Sequence, residues 1–533
     1  MATRRQPLIA GWLLPGLLAA ILMVAVSLGA FLALWLNAPE SDLFSLWHDS
    51  YLWHVIRFSF WQAFLSALLS VIPAIFLARA LYRRRFPGRQ ALLRLCAMTL
   101  ILPVLVAVFG ILSVYGRQGW LASLFTLLGL EWTFSPYGLK GILLAHIFFN
   151  MPMATRLFLQ ALENIPGEQR QLAAQLDMRG WSFFRFVEWP WLRRQIPPVA
   201  ALIFMLCFAS FATVLSLGGG PQATTIELAI YQALSYDYDP GRAALLAIVQ
   251  MLCCLVLVFL SQRLSKAIPP GANQISGWRD PQDSLHSRLT DFALITLALL
   301  LLLPPLLAVV VDGLNLNILA VLQQPVLWQV TFTSLRIALA AGLLCVILTM
   351  MLLWSSRELY ARKAGQALEL TGMLILAMPG IVLATGFFLL FNTTVGLPES
   401  ADGIVIFTNA LMAIPYALKV LENPMRDINS RYSLLCQSLG MQGWQRLKVV
   451  ELRALKRPLA QALAFASVLS IGDFGVVALF GNDDFRTLPF WLYQQIGSYR
   501  SQDGAVTALL LLLLCFALFT VIEKLPGRDV KTD

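Results

Sequence analysis

The chain has 533 residues, of which 58% are hydrophobic and 13% charged, with a formal net charge of +10. About a quarter of an ordinary soluble domain is charged, so this composition excludes a water-soluble enzyme or binding module. Apolar runs of roughly 18 residues or more recur along the whole length, each long enough to cross a bilayer core about 30 Å thick. Backbone groups in lipid must bond internally, so the runs read as helices and the fold class as an all-α membrane protein.

Taken in chain order, spans are expected near 9–36, 54–78, 95–115, 138–160, 196–217 and 243–262, then 289–311, 327–354, 368–392, 403–420, 458–480 and 504–523. Arg4 and Arg5 precede the first, as in a signal peptide, but that stretch is too long for a cleaved one and is expected to persist as a helix. The connection 37–53 has no Lys or Arg and carries Glu40, Asp42 and Asp49, whereas Arg79, Arg83, Arg84, Arg85, Arg89 and Arg94 crowd the next. Lys and Arg are retained on the cytoplasmic side, which puts 37–53 outside and the arginine-rich connection inside. The alternation continues. Connections 156–194, 263–288, 357–363 and 419–457 are basic, and 218–241, 312–326 and 393–402 have no Lys or Arg. Both termini are therefore expected inside, and topology rather than a nucleic-acid partner accounts for the positive charge.

Residues 263–288 form the most polar connection, with Pro269, Pro270, Gly271, Gly277 and Pro281. It reads as a cytoplasmic linker, 269–288, between a first module, 1–268, and a second, 289–533. The modules repeat one another. Pro415 follows Pro152 by 263 positions, as Phe474 follows Phe211; Pro103 and Pro379, like Gly110 and Gly386, differ by 276; Trp53 and Trp328, like Ser59 and Ser334, differ by 275. Six spans separate the copies, so both have the same orientation, a parallel internal repeat.

The strongest repeat lies in a basic connection. Its first copy runs from Gln171 through Leu172, Ala173, Ala174, Leu176 and Asp177 to Gly180, Trp181 and Glu188. Its second runs from Leu434 through Leu435, Cys436 and Gly440 to Gly443, Trp444 and Glu451. Leu172 and Leu176 share a helical face, and the small Ala173 beside them suits close approach to another surface. Gly440 can end a helix in the left-handed conformation, and Gly443 can make a further turn. Two matched amphipathic loops on one face point to a two-fold symmetric partner.

These segments resemble the coupling loop of the permease subunits of binding-protein-dependent ABC importers, a Glu-Ala-Ala motif followed by Gly and then by an apolar residue and Pro. The first copy keeps Ala173 and Pro190 but has Leu172 for an alanine and Asp177 for the Gly. The second keeps Gly440 but has Leu435 and Cys436 for the alanines and Arg453 for the Pro. Gln171 and Leu434 stand where the motif has Glu. The resemblance covers nearly the whole chain and is nearest to the fused, two-module permeases of the iron(III) and thiamine group. Arg57–Gln62, Tyr82–Phe86 and Ile471–Gly475 are most similar to its thiamine-carrying members. It implies two six-helix modules in a bacterial inner membrane, two ATPase subunits docked on the coupling helices, a periplasmic substrate-binding protein, and thiamine with its phosphate esters as cargo. Iron(III) or another small solute is the alternative cargo, and a twelve-span secondary transporter the alternative class.

No G-x-x-x-x-G-K-[ST] loop occurs, so ATP is expected on partner subunits and no cofactor on this chain. His48, His54, His146 and His286 are scattered, and the seven cysteines show no ligand spacing, so neither a metal site nor a catalytic residue is expected. Asp473 is the clearest ionisable residue deep in a span and the one substrate-pathway candidate, although bonding between helices is the favoured reading. Phe60, Trp61 and Trp491 are expected to pack at membrane interfaces.

Overall fold

The computed structural model describes residues 13–37, 48–99, 101–264, 284–359, 368–369, 371–372, 375, 378–392, 397–482, 485–498 and 500–525, among which every regular element is helical. Most of the expected linker, 269–283, lies outside them. In chain order the main helices are α1 (Leu14–Asn37), α2 (Ser50–Arg83), α3 (Val104–Tyr115), α4 (Leu139–Glu163), α5 (Gly167–Gln175), α6 (Trp189–Phe208), α7 (Phe211–Leu217) and α8 (Ile226–Ser235). After a further long apolar helix, Pro240–Leu264, they continue as α9 (Leu285–Gly313), α10 (Pro325–Glu358), α11 (Gly380–Asn392), α12 (Leu397–Ser438), α13 (Lys456–Ile471), α14 (Gly475–Phe480), α15 (Leu488–Gly497) and α16 (Ser501–Lys524). Among the described residues eleven helices are long and apolar enough to cross a membrane, and a shorter apolar helix, Gly380–Phe391, stands at the place of the remaining expected span. The chain is thus a multi-pass membrane protein.

Three expected boundaries move, and one of them is the span expected at 196–217, which is found at Gly180–Phe208. The span expected at 95–115 is found at Val104–Leu127, because Pro103 bars helix at the residue before it and starts a new one. The span expected at 403–420 belongs to α12, which runs unbroken into the second repeated loop. In the first copy Pro166 and Gly167 separate α4 from α5; the equivalent positions, Asn429 and Ser430, have no such break, so the helix continues.

By proximity the chain forms two compact units that interleave along the sequence. One comprises Ser45–Ala229 and Leu255–Leu316. In it α2 packs on α4 and α6, and α9 packs on α2 and α3. A Cβ on Gly110 would lie 2.3 Å from the Pro305 carbonyl oxygen, so only glycine lets α3 and α9 approach this closely. At one end of α9, Asp291 is 1% exposed and accepts from Arg83 Nη2 at 2.6 Å and Arg84 Nε at 2.7 Å. Two arginines of the basic connection thus fix α9 in place.

The other unit comprises Met1–Phe44, Ile230–Cys254 and Asn317–Asp533. Here α10 packs on α12 and α13, and α1 packs on α10 and α11. Small residues again set the approach. The Gly16 N–H donates to Ser355 Oγ at 2.8 Å, and a Cβ on Gly386 would meet the Ala30 carbonyl oxygen at 2.8 Å. The outer face of α1, with Leu17, Leu18, Ile21, Leu28 and Leu32, is exposed, as suits contact with lipid.

Repeated serines make repeated caps. Ser59 Oγ accepts the Ile226 N–H at 3.0 Å at the start of α8, and Ser334 Oγ accepts the Leu488 N–H at 2.7 Å at the start of α15. Each satisfies a helix-terminal donor that would otherwise be buried without a partner.

Candidate functional site

Both copies of the repeated loop end their helix in the same way. The Met178 N–H reaches back to the Ala173 carbonyl at 2.9 Å, and the Met441 N–H to the Cys436 carbonyl at 2.8 Å. This closure needs a left-handed residue just before it, and Asp177 (φ 50°) and Gly440 (φ 64°) supply it. Asp is one of the few side-chain-bearing residues that adopt this conformation readily, and Arg179 pairs with its carboxylate at 2.6 Å. Gly180 and Gly443 turn the chain again, with φ of 49° and 51°. A single helical turn, Gly180–Phe183 or Gly443–Arg446, then leads into a π-helical turn, Phe184–Glu188 or Leu447–Glu451.

Leu172 and Leu176 are 57% and 59% exposed, and their counterparts Leu435 and Leu439 are 53% and 64% exposed. Trp181 and Trp444 are exposed as well. Ala173 and Cys436 are instead buried at 2%, facing their own chain. One helical step of about 100° separates the outward leucine from the inward small residue, so the small side chain packs α5 against the body while the leucines look away. Ala174 and Gly180 are exposed, and Gly443 is buried. Beside the first copy lies an open groove of about 340 Å³, lined by Leu172, Leu176, Met178, Phe186, Pro190 and Trp191.

Sequence reasoning missed what anchors these loops. Glu188 and Glu451, the last residues of the two π-helical turns, are 0% exposed. Glu188 accepts from Arg79 Nε of α2 at 2.5 Å, and that guanidinium also lies 4.6 Å from the centre of the Phe184 ring. Glu451 is paired with Arg357 of α10 and, at 3.0 Å, with Arg446 Nε. Each loop is therefore tied by a buried carboxylate to the corresponding long helix, Arg79 near the end of α2 and Arg357 near the end of α10. The glutamates were visible at matching positions in the repeat. The arginines were not, because Arg79 and Arg357 do not align with each other.

Asp473 lies where the helix breaks between α13 and α14. Its carboxylate faces the N–H groups of Gly475, Val476 and Val477 and the Asn409 amide, which itself donates to Ser470 Oγ at 3.0 Å. The first copy has Ser210 at this position, between α6 and α7. An acid the sequence did not single out reaches that break from elsewhere. Glu227 of α8 is 3% exposed and accepts the Phe211 N–H at the start of α7; burial pushes its carboxyl up to about 8.

The model of the family described as "Binding-protein-dependent transport system inner membrane component" matches residues 70–269 and 353–525. The chain is 84% identical to the thiamine transport system permease protein ThiP of Escherichia coli (strain K12), over 100% of both chains. It is 83% identical to the protein of that name from Salmonella typhimurium, again over 100% of both, and 44% identical to the one from Haemophilus influenzae, over 94% of this chain and 95% of that one.

Proposed function

The chain belongs to the family of binding-protein-dependent transport system inner membrane components, and on that premise we propose that it is the permease through which an ABC importer carries thiamine across a bacterial inner membrane. The observation that carries the reading is 84% identity, end to end, with a thiamine transport system permease. The two matches of the family model, 70–269 and 353–525, overlap one proposed module each, 1–268 and 289–533, which supports a fused pair joined by a cytoplasmic linker, 269–288. Both termini are assigned to the cytoplasmic side from the placement of Lys and Arg.

Two ATPase subunits are the proposed partners of the repeated loops, and a periplasmic substrate-binding protein that of the opposite face. Leu172 and Leu435, with Leu176 and Leu439, supply the exposed apolar faces. Ala173, Ala174, Asp177, Gly180, Cys436, Gly440 and Gly443 shape the loops that present them. An ATPase that binds ATP more tightly in one state shifts the loop to that state, and Glu188 or Glu451 carries the shift to α2 or α10. Uptake of radiolabelled thiamine by cells lacking and then regaining this chain tests the reading. Restored uptake, competed by excess unlabelled thiamine and dependent on the partner ATPase, is the expected result. Equal uptake with and without the chain would refute it.

A further inference from the structure

The unit that contains Asp473 also holds an aromatic cluster for which coupling has no use. Tyr231 of α8 and Tyr236 just beyond it meet edge to face, with ring centroids 5.9 Å apart and planes at 88°. Tyr493 of α15 joins them: burial first, then the neighbouring Tyr236 and Tyr493, push the Tyr231 phenol up to about 12. The Tyr493 ring lies 5.0 Å from that of Phe474, the residue after Asp473, and Phe474 stacks on Phe490 at 6.3 Å. Phe474 is buried, Tyr231 and Tyr493 are half-buried and Tyr236 is 65% exposed. A packed ring therefore backs three phenols that still have surface to offer. The connection 218–241, which carries two of them, contains Glu227, Asp237 and Asp239 and no Lys or Arg. Three arginines border these segments: Arg242 and Arg500, which follow them, and Arg486, whose guanidinium lies over the Trp491 ring.

The cluster draws on equivalent positions of the internal repeat. Structural features recur in both copies, as Ser59 with Ser334, Gly110 with Gly386 and Glu188 with Glu451. Ser59 caps α8 at Ile226 and Ser334 caps α15 at Leu488, so Tyr231 and Tyr493, each five residues further on and each followed by Gln, are repeat mates. Two ATPases require two separate docking loops, but one cargo molecule requires one site, so a binding site is expected where matching residues of the two copies come together, as Tyr231 and Tyr493 do beside Tyr236. The chemistry fits a particular ligand. A quaternary aromatic cation has no N–H to donate, so a carboxylate cannot hold it by hydrogen bonding, whereas the negative faces of aromatic rings attract it directly.

The geometry points to Tyr231, Tyr236 and Tyr493, with Asp473 and Phe474 adjoining, as a site for an aromatic organic cation, which on the reading of this chain as a thiamine permease is the thiazolium ring of the cargo. The rings supply the faces, and Asp237 and Asp239 a negative potential. The test uses the complete transporter, permease with its ATPase and binding protein, in proteoliposomes supplied with radiolabelled thiamine. Tyr231→Leu and Tyr493→Leu should lower thiamine moved per ATP hydrolysed about tenfold, with permease abundance and receptor-stimulated ATP hydrolysis within about twofold of the original. Tyr231→Phe and Tyr493→Phe keep the ring faces and should retain uptake. Unchanged uptake in the Leu variants overturns the site, as does a parallel loss of abundance, ATP hydrolysis and uptake, which marks a packing role. If the unaltered transporter moves no thiamine, the reading of function itself fails, a result separate from either of these.

Discussion

Asp177 and Gly440, 263 positions apart, hold the same left-handed backbone conformation at the end of the two repeated helices. No neighbour lies within 4 Å of where a Cβ on Gly440 would sit, so the conformation alone makes a side chain unfavourable there. Gly440→Val should lower stability by about 1–2 kcal/mol, and Asp177→Gly should be neutral or slightly stabilising. Thermal unfolding of the purified permease checks both. An unaffected Gly440→Val variant would mean that the loop does not close on its left-handed residue.

The exposed leucines and the buried small residues predict different defects. Leu172→Glu with Leu435→Glu puts charge on two outward faces without disturbing any span, so the protein should insert normally and lose ATPase association. Ala173→Glu places a carboxylate at a buried position and should reduce the amount of folded protein instead. Co-purification of the ATPase, normalised to permease abundance, separates the two. Full association in the double leucine variant would exclude these faces as the contact.

The buried ion pairs predict a rescue. Glu451→Leu leaves Arg357 in a buried position without its carboxylate and should cost about 3–5 kcal/mol. Combining it with Arg357→Leu removes one of the two stranded charges, Arg446 keeping Asn429 as a partner at 2.6 Å, and should recover part of that loss, because an apolar pair of similar volume is often as stable as a buried ionic one. Folded yield and unfolding midpoint are the measurements. A double variant as unstable as the single one would show that the pair does not act as a unit.

Glu227 predicts a pH dependence. Its carboxyl is raised from 4.5 to about 8 by burial, so the folded chain holds the proton more tightly than the unfolded chain. Stability from this group is full below about 4.5, declines as pH rises toward about 8, and is gone above it. The unfolding midpoint should therefore be higher at pH 5.5 than at pH 8.5, and Glu227→Gln should flatten the difference. An identical pH profile in that variant would assign the effect to other groups.

Topology gives the most direct check. Reporters active only outside the cytoplasm should be active when fused after Asp49, Asp239 or Ser400 and silent after Arg85, Arg170 or Ser438. Activity after Ser438 would place the second repeated loop outside and remove it from reach of any ATPase.

Much of this was legible in the sequence because duplication prints each constraint twice. Gly110 and Gly386 matched at 276 positions, and both prove to be points where a neighbouring helix comes within reach of the backbone. Ser59 and Ser334 matched, and both cap the helix after the broken span. Facts belonging to one copy were harder to read. The continuity of α12 depended on the absence of a Pro-Gly pair, which only comparison with Pro166 and Gly167 exposes. The inward turn of Ala173 could not be read from residue type, since small side chains serve close approach on either face. Arg79 and Arg357 stayed hidden because partners across a fold share no spacing along the chain.

The interleaving of the two compact units bears on the order in which the protein can be built. Helix α9, encoded after the linker, packs against α2 and α3, so the group that starts at Ser45 lacks a wall until the ribosome has passed residue 313. Helix α1, made first, must wait for α10 and α11 before the small residues along its buried face have anything to close on. Neither half of the chain can finish folding alone. Expressed as two separate fragments, cut within 269–283, each would expose an unfilled helix-packing face to lipid until the other arrived, and the covalent fusion spares the cell that interval.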